Sequence, residues 1–183
     1  MATASKLLTY EDWLQMPTVE DGVEEVVQGE YRFMPPTRYP HAEIIGDLIA
    51  QFHGQVDRKK VSVLGSNLGL MISREPLTCR SPDLIMFWRD HMVLQDGLCC
   101  SPPGLIVEVL SPSEGRRPKE EKMQDYASIG VPEAWILSSQ AQSVEVRRLL
   151  EGALRTTGMV VDGTLEPLRF PGVSIRVPDL WPE

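Results

Sequence analysis

Two short apolar runs dominate the pattern of hydrophobic and polar positions along the chain. The first spans residues 83–88 (DLIMFW), and the second spans residues 104–110 (GLIVEVL). Short runs rich in branched and aromatic residues are typical of strands that are buried on both faces. Each run contains one carboxylate, and an ionised carboxylate in a buried strand needs a partner or a metal to offset its burial. The pattern therefore predicts two successive buried strands whose carboxylates, Asp83 and Glu108, share a compensating partner or metal.

A structural interpretation of both carboxylates stays open at this point. Asp83 follows Pro82 at the start of its run, which is a common position for a turn residue at the entry to a strand. Glu108 lies in the middle of its run, yet it could still form a structural ion pair with an arginine. Because strand side chains alternate between faces, Ile106, Glu108 and Leu110 are expected on one face of the sheet.

Helical and strand periodicities account for much of the remaining chain. Residues 40–56 form the clearest amphipathic helix, with His41 in its first turn. A second helix is predicted to begin at Pro118 and to end at Gly130, with Lys122 beside an apolar stripe that includes Tyr126. A third, short helix is predicted over 8–16, capped by Thr9. Strands are predicted as a pair over 23–34 around Gln28-Gly29 and singly over 61–64, 68–72, 134–137 and 144–147. The segment 89–103 is expected to be irregular, and 154–160 and 167–177 are expected to form a terminal meander.

Composition places the chain among ordinary globular domains. It has 183 residues, of which 42% are hydrophobic and 24% are charged, and no apolar run reaches the length of a membrane span. The first residues lack the apolar core of a signal peptide, so a cytoplasmic location without membrane association is expected. The three cysteines (Cys79, Cys99 and Cys100) and the three scattered histidines predict neither a disulfide framework nor a zinc site.

The acidic net charge argues against a nucleic-acid partner, but the distribution of charge along the chain weakens that argument. The formal net charge is −8, but seven acidic residues and no Lys or Arg lie within residues 11–30, which leaves −1 for the rest of the chain. Short basic runs occur at 58–60, 116–119 and 147–148. Each run is more typical of a solvated surface, but together they allow a modest phosphate-facing surface.

Several motifs distributed over nearly the whole chain resemble one known family. They are YEDWL at 10–14, EVVQGE at 25–30, PH at 40–41, SPD at 81–83, VEVLSPS at 107–113, Lys122 with Tyr126, GVPE at 130–133, WI at 135–136, FPG at 170–172 and DLW at 179–181. In these positions the chain resembles the Uma-type family of putative restriction endonucleases, which belongs to the PD-(D/E)XK nuclease superfamily. The block around Glu108 is the longest and most specific part of the resemblance.

The resemblance implies an α/β (α+β) fold with a restriction-endonuclease-like core, in which helices flank a mixed central β-sheet. Residues 1–183 are expected to form one such domain. The resemblance also implies that Asp83 and Glu108 bind Mg2+, with Mn2+ as a substitute. Many metal-dependent nucleases carry a lysine two residues after the glutamate, where this chain has Leu110. Lys122 on the following helix is therefore expected to replace that lysine.

Two further residues are accessory candidates, each with a simpler alternative. Glu25 lies in a predicted strand and could equally be an exposed strand carboxylate. His41 lies at a helix start, which can face an active site but more often faces water. The implied catalytic set is Asp83, Glu108 and Lys122.

Three functions remain open from the sequence. The first is a metal-dependent endonuclease that hydrolyses DNA phosphodiester bonds, with DNA bound at low affinity because the chain is acidic. The second is a catalytically inactive nuclease-fold module that binds nucleic acid or regulates a partner, which the missing lysine at position 110 favours. The third is an interaction domain whose two carboxylates are structural. A homodimer is compatible with each of them.

Overall fold

The computed structural model describes residues 7–17, 19, 22–65, 68–110 and 116–182. Within these residues the helices are α1 (Tyr10–Leu14), α2 (His41–His53) and α3 (Arg116–Ser128). The strands of the first half are β1 (Val23–Val27), β2 (Glu30–Met34), β3 (Val61–Gly65), β4 (Leu70–Arg74), β5 (Leu77–Arg80) and β6 (Leu84–Trp88). The strands of the second half are β7 (Leu94–Gln95), β8 (Leu98–Cys99), β9 (Leu105–Val109), β10 (Glu133–Ser138), β11 (Ser143–Leu150), β12 (Ala153–Val160), β13 (Thr164–Leu165) and β14 (Ile175–Arg176).

The described strands form two large sheets and one small one. The central sheet has the order β12-β11-β10-β9-β6-β3, and it is mixed because β9 and β10 are parallel whereas its other pairs are antiparallel. The flanking sheet has the order β2-β1-β5-β4-β8-β7. Strands β13 and β14 pair separately. The predicted mixed sheet is confirmed, and the flanking sheet is a feature that the sequence pattern did not predict.

Helices cover both faces of the central sheet. On one face, Leu48 and Phe52 of α2 pack in a core with Leu84 (β6) and Val107 (β9). On the other face, Tyr126 of α3 packs in a second core with residues from β6, β9 and β10. Because both faces are covered, β6 and β9 are apolar at nearly every position, which is why they form continuous hydrophobic runs rather than alternating patterns.

Most predicted helices and strands occur close to their expected bounds. Thr9 caps α1 by accepting a hydrogen bond from the amide of Asp12, as predicted. The β1–β2 turn has positive φ at both Gln28 and Gly29, where the sequence argued only for the glycine. Among the described residues, no helix is long and apolar enough to cross a membrane.

Three expectations about element bounds need correction. Helix α3 begins at Arg116, two residues before Pro118, so the proline lies inside the first turn, where its missing N–H costs no helical hydrogen bond. The segment 89–103, expected to be irregular, contains the β7–β8 hairpin around Asp96-Gly97. The terminal meander reduces to β12 and the short β13–β14 pair.

A network of charged side chains fixes α3 to the edge of the central sheet. Arg147 of β11 donates two hydrogen bonds to Glu120 at 2.8 and 2.7 Å and one to Glu145 at 2.7 Å. Lys119 of α3 and Thr156 of β12 also donate to Glu145. Burial tends to raise the pKa of Glu145, but these hydrogen bonds more than offset burial and hold its pKa at about 2.

The low pKa of Glu145 predicts a pH-dependent contribution to stability. A carboxyl whose pKa is lowered by folding stabilises the protein above its unfolded pKa, and that stability is lost as the pH falls through the folded pKa. We expect the wild type to exceed Glu145→Gln in free energy of unfolding by about 2 kcal/mol at pH 6, and the difference to disappear as the pH approaches 2. Urea unfolding of both proteins over this pH range measures the difference. Glu151→Gln, at an exposed ion pair on the same hairpin, should show no such trend, and a constant difference for Glu145→Gln would contradict the assignment.

Candidate active site

The candidate site lies where β6 and β9 run side by side. Leu84 pairs with Val107 in antiparallel register, so the next position places Asp83 opposite Glu108 on the same face of the sheet. Asp83 lies just before β6 and accepts a hydrogen bond of 2.8 Å from the backbone amide of Val109 through Oδ2. Asp83 is therefore a strand-entry residue, as one interpretation of the sequence held, and it also faces the second carboxylate.

Glu108 is compensated by two side chains from α3. It is only 5% exposed. The Lys122 ammonium donates a hydrogen bond of 2.9 Å to Oε2, and the Tyr126 hydroxyl donates one of 2.5 Å to Oε1. Lys122 and Tyr126 are four residues apart, so they project from the same side of the helix. The buried carboxylate thus has a lysine as its ionic partner, where the sequence left an arginine open.

Glu25 of β1 is also buried and lies beside the same lysine. It is 2% exposed, so its interpretation as an exposed strand carboxylate is wrong. Its Oε1 lies 3.9 Å from Lys122 Nζ and accepts a hydrogen bond from the Ser81 amide. Its Oε2 accepts a hydrogen bond of 2.9 Å from Arg80 Nη1. Glu25 therefore brings the flanking sheet into contact with the site.

Arg80 connects that sheet to α3. Arg80 is 1% exposed, and its guanidinium donates to Asp125 of α3 at 2.7 Å through Nε, while Nη2 lies 3.5 Å from Glu121. Arg32 of β2 donates two longer hydrogen bonds to Glu121 at 3.3 and 3.4 Å. A buried guanidinium with five donors in a planar fork suits such a junction, because it can serve several carboxylates at once.

His41 approaches the site from the start of α2. Its Nε2 lies 3.0 Å from Asp83 Oδ1, which allows an ion pair when the imidazole is protonated. The side chains of His41 and Asp83 are 16% and 15% exposed, against 7% for Glu108. The His41–Asp83 side of the site is therefore its more open side.

The environment raises the pKa values of both Glu108 and Lys122, but for different reasons. Burial raises the pKa of Glu108, and the charge of Asp83 adds to that rise, whereas Lys122 and the hydrogen bond from Tyr126 lower it. Burial alone would lower the pKa of Lys122, but the charges of Glu108 and Glu25 more than offset burial and raise it. Lys122 is therefore held in its protonated form.

Negative charge exceeds positive charge in this region. Among the described residues, and apart from the exposed Glu30 at 4.0 Å from Arg32, five carboxylates and three permanent cations lie in contact or directly facing one another: Glu25, Asp83, Glu108, Glu121 and Asp125 against Arg32, Arg80 and Lys122. The formal sum is −2 when His41 is neutral. Such an excess attracts a divalent cation.

The donor atoms fit a hard cation, although sparsely. No group of three or more His, Cys, Asp or Glu side chains is arranged as a metal site within the part of the chain that the structure describes. Each oxygen of Asp83 and Glu108 already has at least one contact, with His41, the Val109 amide, Tyr126 or Lys122. A carboxylate oxygen has a second lone pair, and Mg2+ commonly uses one or two carboxylates and takes its other ligands from water and substrate phosphate.

All five residues singled out from the sequence converge here, although their chemical roles stay predictions. Sequence reasoning missed Arg80, Asp125 and Glu121, and it took Tyr126 only as a packing residue. The sequence did contain a hint of Arg80, because this arginine ends the short segment 77–80 (LTCR) directly before the Ser81-Pro82-Asp83 motif. In the structure this segment is β5, which pairs with β1, so Arg80 is placed to compensate the buried Glu25.

Comparison with known proteins bears on the family and the fold of the chain. A family model described as "Uma2: Putative restriction endonuclease" matches residues 10–178. The fold is similar to the crystal structure of a putative nuclease of the DUF820 group from Anabaena variabilis, with a TM-score of 0.80 and 16% sequence identity, over 95% of this chain and 97% of that chain. A comparison with curated proteins gave no significant match.

The chain therefore belongs to the Uma2 family of putative restriction endonucleases. The resemblance inferred from the sequence motifs is confirmed, and so is the fold class, a mixed α/β arrangement shared with that solved structure.

Arg80 provides a test of how this region is held together. Removing one partner of a buried ion pair leaves an uncompensated charge and commonly costs about 3–5 kcal/mol. We expect Arg80→Leu to lower the free energy of unfolding by that amount, because Glu25 and Asp125 would lose their cation. Arg155→Leu, which breaks an exposed pair with Glu151, should cost less than about 1 kcal/mol. Equal losses in the two variants, measured by urea unfolding, would show that Arg80 does not hold the junction.

Proposed function

We propose that this protein is a Mg2+-dependent endonuclease that hydrolyses DNA phosphodiester bonds. The observation that carries the proposal is the placement of Asp83 and Glu108 opposite each other on neighbouring strands, with the ammonium of Lys122 at 2.9 Å from Glu108. Membership of a family described as putative restriction endonucleases supports the same activity.

Asp83 and Glu108 are the residues that would hold Mg2+, and Mn2+ would serve as a substitute. Both are carboxylates, which are the ligands that hard divalent cations prefer. The formal excess of negative charge around them favours the uptake of a cation. When bound, Mg2+ supplies a concentrated positive charge that offsets the charge developing on the attacked phosphate.

Lys122 is proposed to act as a fixed positive charge and hydrogen-bond donor, not as a base. Its raised pKa keeps it protonated at neutral pH. Its ammonium has three protons, of which one is donated to Glu108. The remaining protons can be donated to a phosphate oxygen or to the attacking water, which is the role of a lysine two residues after the glutamate in related nucleases. Glu25 would hold the ammonium in place from the opposite side.

A nuclease-fold module that binds nucleic acid without cleaving it is the second candidate. One observation favours it: Glu108 is already paired with Lys122 and hydrogen-bonded to Tyr126. A carboxylate so engaged can serve structure alone. The two candidates differ in one measurable result, which is whether the protein cleaves DNA when Mg2+ or Mn2+ is present.

Metal binding is expected to be weak in the absence of DNA. Two carboxylates offer few ligands, and phosphate normally completes the coordination of Mg2+. Calorimetry with Mn2+ should detect binding by the wild type and none by Asp83→Asn. Asp57→Asn, which changes an exposed carboxylate outside the site, should bind as the wild type does. Undiminished binding by Asp83→Asn would exclude Asp83 as a ligand.

Cleavage should depend on Lys122 far more than on its neighbour Lys119. Lys122→Gln keeps a donor for Glu108 but removes the charge, and loss of one charge-stabilising group commonly costs about a hundredfold in rate. Lys119→Gln is a matched control, since Lys119 lies on the same helix and also forms an ion pair, with Glu145 at 3.1 Å. The measurement is the initial rate of plasmid nicking with Mg2+ or Mn2+, with thermal unfolding of each variant as a check on folding.

Two outcomes would redirect the proposal. Equal rates for Lys122→Gln and the wild type would show that the catalytic lysine has not moved to α3. No cleavage of plasmid, linear duplex or single-stranded DNA by the wild type, with either metal, would favour the binding module.

A further inference from the structure

The hydroxyl of Tyr126 is a polar group inside an apolar core. The ring is fully buried and belongs to the same apolar cluster as Ile106 of β9, Met123 of α3 and Ala134 of β10. A hydroxyl in such surroundings costs free energy unless it forms a hydrogen bond. Within the described part of the chain its partner is Oε1 of Glu108, which accepts a hydrogen bond of 2.5 Å. Phenylalanine would fill the same space without that requirement, so packing explains the ring of Tyr126 but not its hydroxyl.

The two oxygens of Glu108 are held by donors of different kinds. Oε2 accepts a hydrogen bond from Lys122, whose ammonium ends a flexible four-carbon chain. Oε1 accepts its hydrogen bond from Tyr126, whose ring is rigid and fully buried. Both bonds are charge-assisted, which makes them stronger than hydrogen bonds between neutral groups. Under the proposed function Lys122 also donates to the substrate, so Tyr126 is the donor that keeps the carboxylate in one orientation throughout.

Tyr10 provides an internal comparison with Tyr126. Its ring is also buried, and its hydroxyl donates a hydrogen bond of 2.7 Å to Asp96, which is exposed in the β7–β8 turn. That bond therefore involves a carboxylate that water can also reach, outside the candidate site. In the Tyr126–Glu108 pair both partners are buried, so water has little access to the oxygen that the hydroxyl contacts.

We propose that Tyr126 is a positioning residue for the metal: its hydroxyl fixes the Glu108 carboxylate in the orientation in which it can bind a divalent cation together with Asp83. Carboxylates that ligate metals are themselves hydrogen-bonded, and loss of such a partner commonly weakens metal binding or activity by about 10–100-fold. This inference rests on the proposed function, because it takes Glu108 as a metal ligand. Its experiment measures metal binding in the absence of DNA, so the two can fail separately.

The test compares metal binding by Tyr126→Phe and by the wild type. The substitution removes one oxygen atom and leaves the ring that packs in the core. Calorimetric titration with Mn2+ should give Tyr126→Phe a Kd about 10–100 times that of the wild type. Tyr10→Phe is the matched control, since it removes the same atom from a tyrosine–carboxylate pair outside the site. Its Kd should equal the wild-type value.

A second measurement separates positioning from stability. A ligand that binds only the folded protein stabilises it by an amount set by the ratio of ligand concentration to Kd. Urea unfolding is therefore measured without Mn2+ and with Mn2+ at about ten times the wild-type Kd. Mn2+ should raise the urea midpoint equally in the wild type and in Tyr10→Phe, and by about a third of that amount or less in Tyr126→Phe. Loss of stability alone would lower both midpoints of Tyr126→Phe and leave the rise unchanged.

Three results would overturn the role assigned to Tyr126. They are an unchanged Kd or an unchanged rise in Tyr126→Phe, an equal loss of Mn2+ binding in Tyr10→Phe, and no binding of Mn2+ by the wild type. Plasmid nicking with Mn2+ is measured in parallel. Cleavage by the wild type together with an unchanged Kd in Tyr126→Phe would remove the role of Tyr126 and leave the proposed activity. Metal binding that depends on Tyr126, without cleavage by the wild type, would keep the role and remove the activity.

Discussion

The buried carboxylate of Glu108 is the constraint on which the arrangement around the site depends. It lies in the middle of β9, in a sheet covered by helices on both faces, where an uncompensated charge would cost several kcal/mol. Lys122 and Tyr126 of helix α3 offset that cost by donating hydrogen bonds to the carboxylate. The orientation of α3 about its own axis is therefore determined by the glutamate as well as by apolar packing. The charges that α3 carries nearby, Glu121 and Asp125, then require a cation of their own.

Arg80 supplies that cation, and it links the two large sheets through charge. It compensates Glu25 within the flanking sheet and Asp125 on α3, while Glu25 in turn lies beside Lys122. The chain of contacts runs from β1 through Arg80 and α3 to β9, with opposite charges at each step. Buried ionic networks of this kind are weak evidence for stability, because desolvation offsets much of the attraction. Such a network restricts how the two sheets and α3 can pack, since each buried charge needs its partner at hydrogen-bonding distance.

The sequence predicted the parts of this arrangement that depend on local periodicity. Strands β6 and β9, helix α2 and the stripe of α3 follow from patterns within 5 to 13 residues, and the structure has them. The flanking sheet was missed because two of its pairs, β1 with β5 and β4 with β8, join strands that are not consecutive in the sequence. The β7–β8 hairpin was overlooked despite Asp96-Gly97, a dipeptide suited to positive φ at both positions. Arg80 could not be assigned a partner, because Glu25 and Asp125 lie 55 and 45 residues away along the chain.

The same network bears on how a metal could enter under the proposed function. Without a cation, the site satisfies Glu108 internally, so a divalent ion must compete with Lys122 for the carboxylate. Under the proposed function this competition would be favoured electrostatically, because the described groups around the site carry a formal excess of two negative charges even with Lys122 included. A divalent ion at Asp83 and Glu108 would release part of the attraction that holds the ammonium against Glu108, while Glu25 continues to attract it from 3.9 Å. Lys122 would then remain charged and near the site with more of its three protons free for a phosphate oxygen. Under the proposed function, the ion pair would keep Lys122 in place until substrate and metal arrive together, which would account for a catalytic lysine on a helix instead of on the glutamate strand.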